Sequence, residues 1–181
     1  MIYSVAAILL LGVAFLNVNQ KIHGTDERIM FSELTVEMTG VGAEILDEIG
    51  KELFDPVTSS GLTIPTSDLS TTPYSTASTC DPNDPNYSGC STIGDFHGKT
   101  ATRNRTRTHS VNGATTTYTV PYNVTDIAVD YVSEASPHTS TGGAKSFAKE
   151  VTLTVSTPAL VNGNGDPFEI QMSRVYMYPD L

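Results

Sequence analysis

Residues Ile2 to Leu16 read IYSVAAILLLGVAFL, an almost unbroken apolar run that Val18 extends past Asn17. A stretch of about 17 such residues lies at the lower limit for crossing a bilayer as a helix. It cannot stand exposed in water, so the chain must bury it in lipid or against protein. No Lys or Arg precedes the run and no small-residue cleavage site follows it, so it reads as a retained element and not as a cleaved secretory signal. Basic residues give little orientation signal, because Lys21 follows the run and Arg28 lies further on.

The next segment, residues 25–56, reads as an amphipathic helix. Thr25 is placed to cap it after His23-Gly24, and Asp26 and Glu27 suit the positive end of the helix dipole. Leu34, Met38, Val41, Ile45, Ile49 and Leu53 recur at spacings of three and four, forming one apolar stripe. Glu33, Glu37, Glu44, Asp47, Glu48 and Glu52 dominate the other positions, and Asp55-Pro56 is the expected stop. Gly24 is a point where the long helix can break. Gly40, Gly42 and Gly50 each cost about 1 kcal/mol relative to Ala in a helix interior, which predicts close packing or a bend at those positions.

From Val57 the period changes. The chain has 181 residues, with 17 Ser and 25 Thr, and most of its hydroxyls fall in residues 57–181. Thr58 to Thr79 is a Ser/Thr/Pro stretch expected as an extended linker or a loop over the domain. Strands are expected over residues 102–108, 115–120, 124–132, 149–156 and 168–178. Val151, Leu153 and Val155 alternate with Thr152 and Thr154, the pattern of a half-buried antiparallel strand. Phe168, Ile170 and Met172 repeat it, while Val175 and Met177 resume out of phase, which predicts a bulge between them. Asn162-Gly163-Asn164-Gly165-Asp166 marks the turn joining the last two strands. The expected fold class is α+β: a long N-terminal helix, then an antiparallel sheet domain with Ser/Thr-rich loops. The expected parts are residues 1–24, 25–56 and 57–181.

This order of parts resembles the type IV pilin and pseudopilin superfamily. MIYSVAAILLLGVAFLNVNQ corresponds to the half of the helix that the family buries, and RIMFSELTVEMTGVGAEILDEIGKELF to the half facing the globular domain. Position 5 is Val5, where most members carry a glutamate, and the two cysteines fall mid-chain and not near the C-terminus. The resemblance implies a filament subunit, inserted in the inner membrane before assembly and handled there by pilus assembly machinery. It would then form an extracellular helical homopolymer at the cell surface. The assembly core would be Ile2, Val5, Ile8, Leu9, Leu11, Gly12, Phe15 and Leu16. Physical argument points the same way: Ala6, Ala7, Gly12 and Ala14 permit close helix approach, and contacts that do not close generate open helical polymers. The alternative is a single-pass anchor carrying an exported binding or assembly domain, as a minor pseudopilin would.

Cys80 and Cys90 enclose a Pro/Asn-rich loop and fit a disulfide formed in an oxidising compartment. Asp81, Asn83, Asp84 and Asn86 within it offer oxygens for Ca²⁺, but their spacing does not match a known calcium loop, and Asx-turns are the favoured reading. Arg103, Arg105 and Arg107 share one strand face. They read either as a solvated edge strand or as a positive stripe meeting an acidic surface of a neighbouring subunit. Three sequons, at Asn86, Asn104 and Asn123, are candidate glycosylation sites. A formal charge of −10 argues against nucleic acid as a partner. No motif for catalysis, metal binding or cofactor binding is present, and the expected class is structural, with no enzyme activity.

Overall fold

A computed structural model describes residues 28–181 apart from 61–63, 76–78, 85–86, 112–113 and 179–181. Two compact units divide the chain, Met1–Glu37 and Met38–Leu181. The capping residue Thr25, the break at Gly24 and the whole apolar run lie outside the described residues. Helix α1 is described over residues 28–49, and a four-stranded antiparallel sheet follows it, so the fold class is α+β. The strands are β1 (Ala101–Val111), β2 (Ala114–Tyr131), β3 (Ala148–Val161) and β4 (Pro167–Met177), in the order β1-β2-β3-β4. Each pairs with the next, as consecutive antiparallel connections allow.

In the second unit, Met38, Val41, Ile45, Leu46 and Ile49 of α1 are buried, together with Val120, Tyr122, Val124 and Val129 of β2 and Val151, Leu153 and Val155 of β3. Fully burying such side chains stabilises by roughly 1.5–3 kcal/mol each, which holds residues 38–49 of the helix against the sheet. Burial along β3 alternates as its sequence predicts, with Thr152, Thr154 and Ser156 half-buried on the other face. Gly42 lets α1 approach the sheet, because a Cβ there would lie 2.4 Å from Met172 Sδ and 3.1 Å from Val155 Cγ2. At Gly50 a Cβ would lie 2.6 Å from the Tyr176 ring, whereas at Gly40 it would meet nothing within 4 Å.

Three boundaries differ from the sequence expectation. The helix ends at residue 49, not at Asp55. Gly50, Lys51 and Glu52 close tight turns onto Leu46, Glu48 and Ile49, and then Leu53 donates its N–H to Ser91 O (3.3 Å) and accepts from Ile93 N–H (2.9 Å). That bridge with Thr92 turns Leu53 out of the apolar stripe and leaves it 42% exposed. Second, the two strands expected over 115–120 and 124–132 are one strand running through Pro121. The β3 ladder on β2 begins only at Asn123, so Pro121 pairs with β1 alone, and a residue without N–H is tolerated where one edge is open.

The third difference lies in β4, which has no bulge at 172–175. Its register with β3 runs unbroken from Ala148↔Met177 to Thr157↔Phe168. Arg174 and Tyr176 take the positions facing α1, using long side chains whose polar tips reach Asp47 and the Leu46 carbonyl. The irregularities fall instead at Thr125/Ala128 in β2 and Thr157/Val161 in β3. The turn between β3 and β4 is as expected: Asn162 Oδ1 accepts the N–H groups of Asn164 (2.9 Å) and Asp166 (3.1 Å), and Gly165 takes φ +87.

The two helix glycines give a paired prediction. Gly42→Val should destabilise by about 1–3 kcal/mol through overpacking against Met172 and Val155. Gly40→Ala should stabilise by up to about 1 kcal/mol through helix propensity. Thermal denaturation of the two variants should move in opposite directions, and an unchanged or raised melting temperature for Gly42→Val would show that α1 does not seat on the sheet through Gly42.

Candidate functional site

The acidic face of α1 meets arginines from both edge strands. Arg105 of β1 bonds Glu44, with Arg103 Nε at 4.0 Å from the same carboxylate, and Arg174 of β4 bonds Asp47. Two members of the predicted arginine stripe therefore engage their own helix, while Arg107 lies further along β1 opposite Tyr118. Arg103 also donates to Pro82 O (2.9 Å) and Tyr87 Oη (2.8 Å) inside the cysteine loop. One guanidinium thus links loop, strand and helix. The exposed pairs contribute at most about 1 kcal/mol each, so their role is to fix where the helix lies more than to hold it down. Asp47 raises the Arg174 pKa through its hydrogen bond, against a smaller opposing effect of burial.

Cys80 and Cys90 are joined by a disulfide. Within the loop, Asp81 Oδ1 accepts Asn83 N–H (2.9 Å), an Asx-turn, and Asn83 Oδ1 accepts Thr102 N–H of β1 (2.7 Å). The oxygens considered for Ca²⁺ at Asp81 and Asn83 are thus bonded to backbone donors, while Asn86 lies outside the described residues. Among the described residues no group of three or more His, Cys, Asp or Glu is arranged to hold a metal. Of the other sequons, Asn104 is exposed on β1, and Asn123 is half-buried on β2 with its Oδ1 at 3.3 Å from Thr102 Oγ1.

The densest chemistry lies where the segment after α1 crosses the end of the sheet. Asp55 is 0% and Lys149 2% exposed, with Lys149 Nζ 3.6 Å from Asp55 Oδ2. Lys149 donates to Phe54 O at 2.7 Å and lies over the rings of Phe54 (4.8 Å) and Tyr131 (5.3 Å). Asp55 accepts from Ser70 N–H (3.2 Å), Ser70 Oγ (3.1 Å) and Val57 N–H (3.4 Å). The Tyr131 hydroxyl, beside Asp55, donates to Ser70 O at 2.9 Å. Burial pushes the Lys149 ammonium below its usual pKa, with the Asp55 charge opposing it, and pushes the Tyr131 phenol well up, so that it stays protonated.

A cleft of about 480 Å³ opens above this cluster, walled by Asp55, Ser70 to Ser75, Thr92, Asp95 and Lys149. The Ser/Thr/Pro stretch thus forms a wall over the end of the sheet. Asp95 closes a capping box at the short 3₁₀ turn Ile93–Phe96. Its Oδ2 accepts Ser91 N–H (3.0 Å), Thr92 N–H (2.8 Å) and both hydroxyls (3.1 Å each). Burial acts to raise the Asp95 pKa, but these donors outweigh it and hold the carboxyl below its ordinary value. The neighbouring His97 accepts Val129 N–H through Nδ1 (3.0 Å) and stacks on Tyr74 at 3.8 Å. Asp95 and His97 are thus each engaged with local partners.

Sequence reasoning passed over Asp55, Lys149 and Tyr131. Asp55 reads as a helix stop before proline. Lys149 carries a signal, since it stands in the inward phase of Val151, Leu153 and Val155. The residues of the expected assembly core, Ile2 to Leu16, lie outside the described residues. Among the described residues no helix is long and apolar enough to cross a membrane. Compared with protein-family models, curated proteins and solved structures, the chain matches none.

Asp95→Ala should destabilise by about 1–2 kcal/mol at pH 7 through loss of the cap. Because the folded-state pKa is depressed, this contribution is present above the ordinary carboxyl value of 3.8 and is lost as pH falls through the folded value. Wild-type and variant melting temperatures should therefore converge below that range, and a gap independent of pH would refute the role given to the carboxylate.

Proposed function

We propose that the chain is the structural subunit of an extracellular, pilus-like filament that polymerises through its apolar N-terminal helix. The observation that carries this reading is a change of exposure along α1. Leu34 and the large apolar residues of the helix from Met38 onward are buried, whereas Ile29, Met30 and Val36 are 52%, 48% and 68% exposed. These exposed residues follow the uncharged run Ile2 to Leu16 in sequence. An apolar run of that length must be covered by lipid or protein, and copies of the same chain can cover it in a heterologous contact that need not close. In this reading the segment lies in the inner membrane before assembly and passes through the assembly machinery to the filament core.

A second reading, a membrane-anchored binding or assembly protein of the minor-pseudopilin kind, is favoured by the length of the apolar run, which just suffices for one bilayer crossing. Surface material sheared from cells that express the chain separates the two under the electron microscope. The filament reading expects fibres containing this protein, and it expects Ile29→Lys with Val36→Lys to abolish them while the melting temperature of the sheet domain stays within about 2 °C, as surface changes do. Recovery of the chain only as detergent-solubilised monomer would overturn it in favour of the anchor.

A further inference from the structure

The buried Lys149 and Asp55 pair is unusual as an ion pair. Two charges taken out of water recover their desolvation cost only through short, charge-assisted hydrogen bonds, typically about 2.7–2.9 Å. Here Nζ lies 3.6 Å from Oδ2 and gives its short bond, 2.7 Å, to the neutral carbonyl of Phe54. Two aromatic rings flank the ammonium, and Asp55 and Lys149 are 0% and 2% exposed at the floor of the cleft. Burial here favours the uncharged amine of Lys149, against the attraction of the Asp55 charge.

We propose that Lys149 and Asp55 condense to an intramolecular amide cross-link between the side chains. A proton passes from the Lys149 ammonium to the Asp55 carboxylate, leaving a neutral amine beside a neutral acid. The nitrogen lone pair adds to Asp55 Cγ, forming the C–N bond, and the oxygen that becomes negative is Oδ1, to which Ser70 Oγ and Val57 N–H already donate, while Oδ2, held by Ser70 N–H, is the oxygen that leaves. The C–O bond then breaks, and the hydroxyl leaves as water with a proton from the nitrogen, relayed by the Tyr131 hydroxyl. Ammonium plus carboxylate gives amide plus one water, with no change of oxidation state and no co-reactant. The held geometry replaces an activating group, since fixed partners reach effective molarities of about 10⁵–10⁸ M. The released water has an exit, because both residues line the open cleft.

The bond ties the segment that follows α1 directly to β3. Tension along the helix then passes to the sheet without loading the long connection between them. This inference stands whether or not the chain polymerises.

Intact mass spectrometry of the full, unreduced chain tests it. The expected mass is lighter than that of the disulfide form by one water, about 18 Da, and Lys149→Arg restores the uncondensed mass. Digestion after Lys and Arg should give a branched peptide joining residues 52–99 to residues 146–174, uncut at Lys149. An intact mass without the loss, complete cleavage after Lys149, or a loss of water confined to peptide 52–99 would each overturn the proposal. The wild-type measurement decides it even if the Lys149→Arg variant fails to fold.

Discussion

The seating of helix residues 38–49 on the inward face of the sheet is the constraint on which the rest of the second unit depends. The apolar stripe supplies the energy, but it specifies the position of the helix only loosely, because hydrophobic contact is non-directional. Position comes from two other sources. Gly42 leaves a gap that Met172 and Val155 fill, and Arg105 and Arg174 hold Glu44 and Asp47 from the two edge strands. An acidic helix between basic edges explains why so much of the negative charge gathers in one element. It also explains why β4 gives two inward positions to Arg174 and Tyr176.

That seating fixes where the chain goes next. Gly50 ends the helix beside the Tyr176 ring, whose hydroxyl bonds Leu46 O and whose pKa burial raises to about 12. The following segment pairs with Thr92 and delivers Asp55 over the end of β3, onto Lys149. Seen along the sequence, the apolar content falls into two classes. One part is buried within the second unit, and the other, around Ile29, Met30 and Val36, is exposed. The filament proposal assigns other copies of the chain to the second class.

Much of this organisation was legible in the residues themselves. Met38, Val41, Ile45 and Ile49 announce the buried helix face by spacing, Val151, Leu153 and Val155 announce β3 by alternation, and the Asn/Gly cluster at 162–166 announces its turn. The failures have physical reasons. Gly50 and the Leu53 bridge end the helix through pairing with residues 91–93, which is a long-range contact invisible to local pattern. Arg174 and Tyr176 look outward by residue type but face inward by register, so a regular strand reads as bulged. Asp55 and Lys149 lie 94 positions apart in sequence, and no local signal announces that they meet. The distribution of the arginines between their own helix and other surfaces is likewise a matter of tertiary placement.

The central proposal is that this chain carries a folded sheet domain and an apolar segment covered by other copies of itself. Sedimentation velocity on the detergent-solubilised full chain, followed as detergent is diluted away, addresses both halves together. The account predicts a shift to open-ended polymers of broad and increasing size, while the near-ultraviolet circular dichroism of the tyrosines in the sheet domain stays unchanged. A single closed oligomer or a persistent monomer, with the same folded signal, would contradict it.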